Sequence, residues 1–313
     1  MNSNKRFWRV LMGMAVALAA LGATGVARAE GEPVIVVAGE SEAGAPETTE
    51  SVTTVYPNDY YLFLSAPGSG SVAGIAYADE DVLRYDPAGI GAWIKVFDGT
   101  NAGLPASADI DALAYTAQAL GASYYMSFDA PTAVPGLGTV DDSDIVVYTT
   151  QILQTPVWSL FFDGSAHGLT TAGEDIDALE LVVGTIEFTI STAGSMTVPG
   201  YYTATLTAAD EDVVRVQNNG GHYLMELDGS LMGMTAANDV RGHAYIYTGN
   251  EDVDWLTMQR AATLTSNHGN LTVAANDIVA RLDNPYTGVS YSLFFDASAA
   301  GFPKVDAMDV VRK

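Results

Sequence analysis

No cysteine occurs in the 313 residues. Disulfides, thiolate zinc sites, a cysteine nucleophile and a lipid anchor on cysteine are therefore excluded. Positive charge is scarce: 13 Lys and Arg stand against 38 Asp and Glu, for a net charge of −25. A surface this negative repels nucleic acid and anionic lipid. It suits solubility, cation binding or a saline medium. Only four histidines are present (His167, His222, His243 and His268), with no His-x-x-x-His and no Gly-x-Ser-x-Gly. Zinc or triad chemistry needs groups converging at fixed spacing, so no catalytic residue is assigned. Sustained helical periodicity with caps is also missing.

One apolar run stands out, Val10 to Val26, behind Lys5, Arg6 and Arg9. It is followed by Ala27-Arg28-Ala29, a small-x-small cleavage signal. Residues 1–29 therefore read as a signal peptide, with the mature chain starting at Glu30. Export to the periplasm or the cell exterior is expected, with no membrane insertion after cleavage. The alternative, an uncleaved anchor, fits poorly with a short run rich in Ala and Gly. Beyond residue 29 the net charge is −29. Residues 30–55 are rich in Glu, Thr and Ala and lack periodicity, as expected of a flexible arm.

What fills the rest, residues 56–313, is a repeat of about 65 residues. An Asp-[Val/Ile] pair opens it at Asp81, Asp144, Asp212 and Asp277. An aromatic or aliphatic run then ends at Asp98, Asp163, Asp228 and Asp296, and a glycine follows five residues later at Gly103, Gly168, Gly233 and Gly301. The unit closes on Asp111-Ala112-Leu113, Asp177-Ala178-Leu179, Arg241-Gly242-His243 and Asp306-Ala307-Met308. Each copy holds four short β-rich runs between Gly, Pro, Asp, Thr and Ser clusters, the pattern of an all-β fold. The last copy ends just after its Asp-Ala run, while Tyr60 to Ser65 precedes the first opening aspartate. The N-terminal strand thus supplies what the C-terminal copy lacks. That arithmetic predicts an all-β, four-bladed β-propeller with four strands per blade, its ring closed by pairing the N- and C-terminal strands. Closure also leaves no unpaired edge of the kind an open array must protect. An open solenoid or two tandem sandwiches are the alternatives.

Gly103-Leu104-Pro105 before Asp111-Ala112-Leu113, and Gly301-Phe302-Pro303 before Asp306-Ala307, resemble hemopexin-like repeats, with Tyr124 to Phe128 as the following aromatic strand. The resemblance covers about residues 56–313. It departs at Arg241-Gly242, in the longer copies and in lacking the closing cysteine pair. It implies a four-bladed propeller, an extracellular binding or scaffolding module, and ions in the central tunnel. It also implies that Asp111, Asp177 and Asp306 open the innermost strands. The alternative places Asp81, Asp144, Asp212 and Asp277 on the axis.

These seven aspartates are the metal candidates, and calcium is the cation they would suit, since hard cations take six to eight oxygens. The competing reading is structural: aspartate favours turns and strand starts because it binds nearby amides. The Asp-Gly pairs after Phe97 and Phe162 read as β-turns. Glu180 and Glu187 could serve with an aspartate as acid and base on sugars, which requires a set separation. Trp93, Trp158, Tyr223 and Tyr291 fall at equivalent positions and suit packing between blades. Trp255 stands apart and is expected at the surface.

The function expected is an exported, non-enzymatic binding or scaffold protein that takes a protein or carbohydrate ligand, with calcium dependence. The ligand would meet the loops at one end of the channel, with Ala130 to Asp142 and Ala193 to Ala208 long enough to build that face. The alternatives are a secreted polysaccharide hydrolase or lyase using carboxylates, and calcium-dependent assembly of a surface layer.

Overall fold

The computed structural model describes residues 60–89, 93–183, 187–217, 220–247, 252–284 and 288–313. The expected signal peptide, residues 1–29, and the expected flexible arm, residues 30–55, lie outside the described residues. The chain forms four antiparallel four-stranded sheets arranged as a four-bladed β-propeller. Blade 1 runs from inside to outside as Ala307–Arg312, Tyr60–Ser65, Val82–Tyr85 and Trp93–Phe97. Blade 2 is Ile110–Gln118, Gly121–Phe128, Ile145–Gln151 and Val157–Phe162. Blade 3 is Ile176–Val183, Glu187–Thr192, Val213–Gln217 and His222–Leu227. Blade 4 is Val240–Tyr247, Asp252–Met258, Ile278–Asn284 and Gly288–Phe295. The Asp-Ala strand is innermost in each, and neighbouring inner strands pack around the axis.

The ring closes where expected: Tyr60 pairs with Arg312, and the register continues to Ser65 opposite Ala307. Each repeat read from its opening aspartate spans two blades, giving the outer two strands of one and the inner two of the next. Two features were not legible as elements. The segments between second and third strands fold as hairpins: Gly70–Val72 with Ile75–Tyr77, Thr132–Val134 with Gly138–Val140, Met196–Val198 with Leu206–Ala208, and Ala262–Ser266 with Gly269–Val273. Short 3-10 turns also form at Ser165–His167 and Gly229–Met232.

Inner blade strands are covered on both faces, so their residues read as continuous apolar runs rather than strict alternation. In Tyr60–Ser65, Leu62 and Leu64 pack toward blade 4 while Phe63 packs toward blade 2. The four apolar clusters each join two successive blades. The outer aromatics do pack between blades. Trp93 lies 6.3 Å from Phe295 of blade 4, and Trp158 lies 6.1 Å from Phe97 of blade 1.

Trp255 corrects the sequence reading. It is fully buried, on the second strand of blade 4, with its ring 5.4 Å from Tyr60 across the closing seam. By register it is the counterpart of Phe63 and Tyr125, with Thr189 the odd member. The series was hidden because one member is a threonine and the strands sit at unequal distances from the opening aspartates.

The opening aspartates hold the blades' ends together. Asp144 accepts hydrogen bonds from the Asp141 amide at 2.9 Å and the Gly164 amide at 3.1 Å. Asp212 does the same with Ala209 and Gly229, and Asp277 with Ala274 and Ala297. Asp81 binds Ala78 and Gly99 and also meets Lys95 at 2.5 Å. Each carboxylate therefore ties the start of a third strand to the turn leaving the fourth. Gly99, Gly164 and Gly229 sit so close beneath that a Cβ would fall 2.3, 2.1 and 2.2 Å from the carbonyl oxygens of Glu80, Ser143 and Glu211. The glycines five residues after the run-ending aspartates take left-handed φ values of 88°, 100°, 86° and 73°, which closes each turn. Replacing Asp212 by Ala strands two amides in a buried turn, so we expect a loss of about 2–4 kcal/mol. Urea unfolding measures it, and a loss below about 1 kcal/mol would refute the clamp.

Candidate functional site

The four inner strands begin at one end of the axis, and equivalent residues at their starts form a ring: Asp111, Asp177 and Arg241, each second in its strand, and Asp306, just before Ala307. Two residues earlier, just before each inner strand, stand Asp109, Asp175, Asp239 and Lys304. The four hairpins and the turns joining one blade to the next lie at this same end, because strands alternate in direction within each antiparallel sheet. The structure thus brings Asp111, Asp177 and Asp306 together at the mouth. It leaves Asp81, Asp144, Asp212 and Asp277 at the blades' third strands, bound to backbone amides.

The mouth has two unequal halves. In one, Arg241 donates to Asp306 at 2.5 Å and lies 3.5 Å from Asp239. Burial opposes its charge, but Asp177 and Asp306 outweigh that and raise its pKa. The arginine that breaks the repeat is therefore an internal counterion. In the other half, Asp111, Asp129 and Asp175 place ligand oxygens within 4.8 Å of one another. Among the described residues no basic side chain reaches ion-pair distance of these three. Asp111 is 1% exposed, and neither of its carboxylate oxygens has a hydrogen-bond partner. One oxygen of Asp175 and one of Asp177 are likewise unpartnered.

Burial is the main cause of raised pKa values here, with neighbouring carboxylates adding to it. Asp111 is raised well above the ordinary carboxylate range, with Asp175 and Asp177 the nearest contributors after burial. Asp175 and Asp109 are pushed up to about 7, and Asp177 to about 9. Carboxylates so placed either hold protons or need a cation.

Deeper on the axis, Glu180 of blade 3 faces Asp309 of blade 1. Burial raises both, Asp309 to about 6, and the Tyr115 amide donates to Asp309 at 2.7 Å. Beside them His243 bridges blades 3 and 4: Nδ1 lies 2.8 Å from Thr189 Oγ1 and Nε2 lies 3.1 Å from Asp254 Oδ1. Arg281 donates to Asp254 at 2.7 Å. The order Thr-His-Asp resembles a nucleophile, base and orienting acid. Thr189 is 1% exposed and His243 is fully buried, so no substrate reaches them, and the chain serves as a clamp between blades. The other histidines do not join it. His167 stacks on Phe162, and His222 lies near the exposed pair Tyr201 and Tyr202 on the edge of blade 3.

Asp129 was missed in the sequence because it does not repeat. Its counterparts are Pro67, Ala193 and Gln259. Only pairing register, which places Phe128 opposite Ile110, sets it beside the mouth. Glu187 instead meets Arg215 at 3.6 Å on blade 3, away from Glu180's partner.

No family model matches the chain, and no curated protein matches it. Among solved structures, a chain of a nidogen/laminin complex aligns with a TM-score of 0.34 at 5% identity, over 80% of this chain and 98% of that one. A chain of a mitotic checkpoint complex aligns at 0.33 and 8% identity, over 83% and 100%. A TolB-type protein from Agrobacterium tumefaciens aligns at 0.29 and 10% identity, over 74% and 88%. None of these likenesses bears on activity or ligand.

Proposed function

We propose that this β-propeller is an exported, non-enzymatic binding or scaffold protein whose ligand, a protein or a carbohydrate, meets the hairpin-bearing end of the channel. The observation that carries the reading is the gathering of all four inserted hairpins and the carboxylate mouth at one end of the axis. Loops set on a rigid scaffold are where binding surfaces are built. Export rests on the signal-like residues 1–29. The resemblance to hemopexin-like repeats supports an extracellular binding module and does not choose the ligand.

A polysaccharide hydrolase or lyase would need its acid within reach of a sugar oxygen. Asp111 has the raised pKa of such an acid but is 1% exposed, which argues against that role.

The test is a binding screen of the purified protein against polysaccharides and cell-surface proteins. We expect a ligand whose binding is lost when residues 131–140 are shortened to a turn and kept when Leu153, exposed at the opposite end, becomes Ser. A ligand indifferent to the hairpin but sensitive to Leu153 would overturn the reading. So would turnover of a polysaccharide that one aspartate substitution abolishes.

A further inference from the structure

The mouth carries one feature that the binding reading does not use, the unneutralised half beside blade 2. We propose that Asp111, Asp129 and Asp175 form a divalent-cation site that joins blade 2 to blade 3, with calcium as the cation it fits. This rests on the binding reading only in placing the cation at the ligand-facing end.

Three independent observations converge. The first is spacing. Two oxygens on one calcium at about 2.4 Å can be at most about 4.8 Å apart, and the three ligand atoms lie within 4.8 Å of one another. The second is the state of Asp111, fully enclosed with both oxygens unpartnered. A proton shared with Asp175 would satisfy only one of its oxygens and would leave the other without a donor. A cation meets both oxygens' needs. The third is the asymmetry of the ring. Arg241 neutralises Asp239 and Asp306 on the far side. On the near side, blade 2 instead adds Asp129, which no other blade has at that position.

Asp129 follows the second strand of blade 2 and is exposed, and its amide donates to the Asp109 carbonyl at 3.1 Å. It is the entry ligand, while Asp111 is the buried one. Asp175 stands just before the inner strand of blade 3, so the cation spans the seam. The remaining coordination positions fall to water or ligand oxygens, which gives the bound partner a route to calcium dependence. Hard oxygen donors and the lack of imidazole or thiolate set calcium above zinc or copper.

The experiment is calorimetric titration of the chelator-stripped full protein with calcium chloride, together with thermal unfolding. Wild type should take up one calcium and melt about 5 °C higher at calcium a hundredfold above its dissociation constant. Asp129→Asn, at an exposed position, should fold normally and lose at least about tenfold in affinity. In chelator the buried Asp111 carboxyl holds a proton, so Asp111→Asn should melt within a few degrees of wild type, yet gain nothing from calcium. Loss of the calcium shift with the fold retained separates a ligand from a merely structural aspartate. Asp296→Asn, at an exposed turn, should keep the wild-type calcium response. No heat and no melting shift in wild type overturns the site, as does a calcium effect that survives unchanged in both Asp129→Asn and Asp111→Asn. If calcium fails to bind while the hairpin-dependent ligand still does, only this inference falls. If calcium binds and no ligand is found at the hairpins, only the binding reading falls.

Discussion

Replacing Arg241 by Met is expected to cost about 3–5 kcal/mol of stability. The methionine keeps much of the stem's packing and removes the guanidinium. Asp306, Asp177 and Asp239 are then left buried, at 2%, 2% and 6% exposure, without their counterion. Breaking a buried pair by removing one partner costs more than the pair contributes, because the orphaned charge stays in the low dielectric. Urea unfolding at pH 7 measures the loss. Adding Asp306→Asn to Arg241→Met should recover part of it, since one stranded charge disappears. A loss below about 1 kcal/mol, or a double variant worse than the single, would show that the arginine is solvated rather than caged. The reverse change, Arg241→Asp, restores the repeat in sequence and should be more harmful still. The ring would then hold four acids and no base.

The second large effect concerns pH. In chelator, stability should fall as the pH rises from about 4 to about 7. Glu180 and Asp309 face each other on the axis, and burial raises both pKa values, Asp309 to about 6. The groups around the pair come from all four inner strands. Blade 2 supplies the Tyr115 amide and blade 4 supplies His243, both of which favour the ionised form of Asp309 without cancelling burial. A carboxyl whose folded pKa is raised binds more protons folded than unfolded. Its contribution is fully present below the unfolded pKa of 3.8 and is lost as the pH climbs through the folded value. For Asp309 the window is about pH 4 to 6, and the loss is on the order of 3 kcal/mol. Asp109 and Asp175, pushed to about 7, extend the decline in the same direction. Asp254 works oppositely. Burial resists its charge, but the hydrogen bond and charge of His243 outweigh that and hold its pKa below the ordinary value. Its contribution is lost only as the pH drops below about 4. Thermal melts from pH 4 to 8 read the slope. Glu180→Gln should flatten it between pH 5 and 7. A wild-type profile that rises through that range would contradict the buried pair.

Much of the architecture was legible in the chain itself. The spacing of the opening aspartates, the run-ending aspartates and the left-handed glycines is set by local turn chemistry. Asp binds the amides of its own turn, and Gly relieves the positive φ. Such rules act over a few residues, so sequence displays them directly, and their recurrence gave the blade number. Ring closure was legible as well, because Tyr60–Ser65 matches the strand that follows the Asp-Ala run in the other copies, and it pairs with Ala307–Arg312.

What the sequence could not decide was where the repeats' side chains meet. The fate of Trp255 depended on a register shared with Phe63 and Tyr125, strands that are distant in the chain. Arg241 looked like decay of the Asp-Ala motif and is instead the ring's counterion. Asp129 had no periodic signal, yet folding sets it beside Asp111 and Asp175. The seven aspartates looked alike in the sequence, and the fold divides them. Four bind backbone amides at the strand starts. The other three enter a crowded mouth, where one arginine can neutralise only half the ring. Turn preference is a local property and is written in the chain. Burial of a charge depends on what three other blades bring to the axis, and only the tertiary structure decides that.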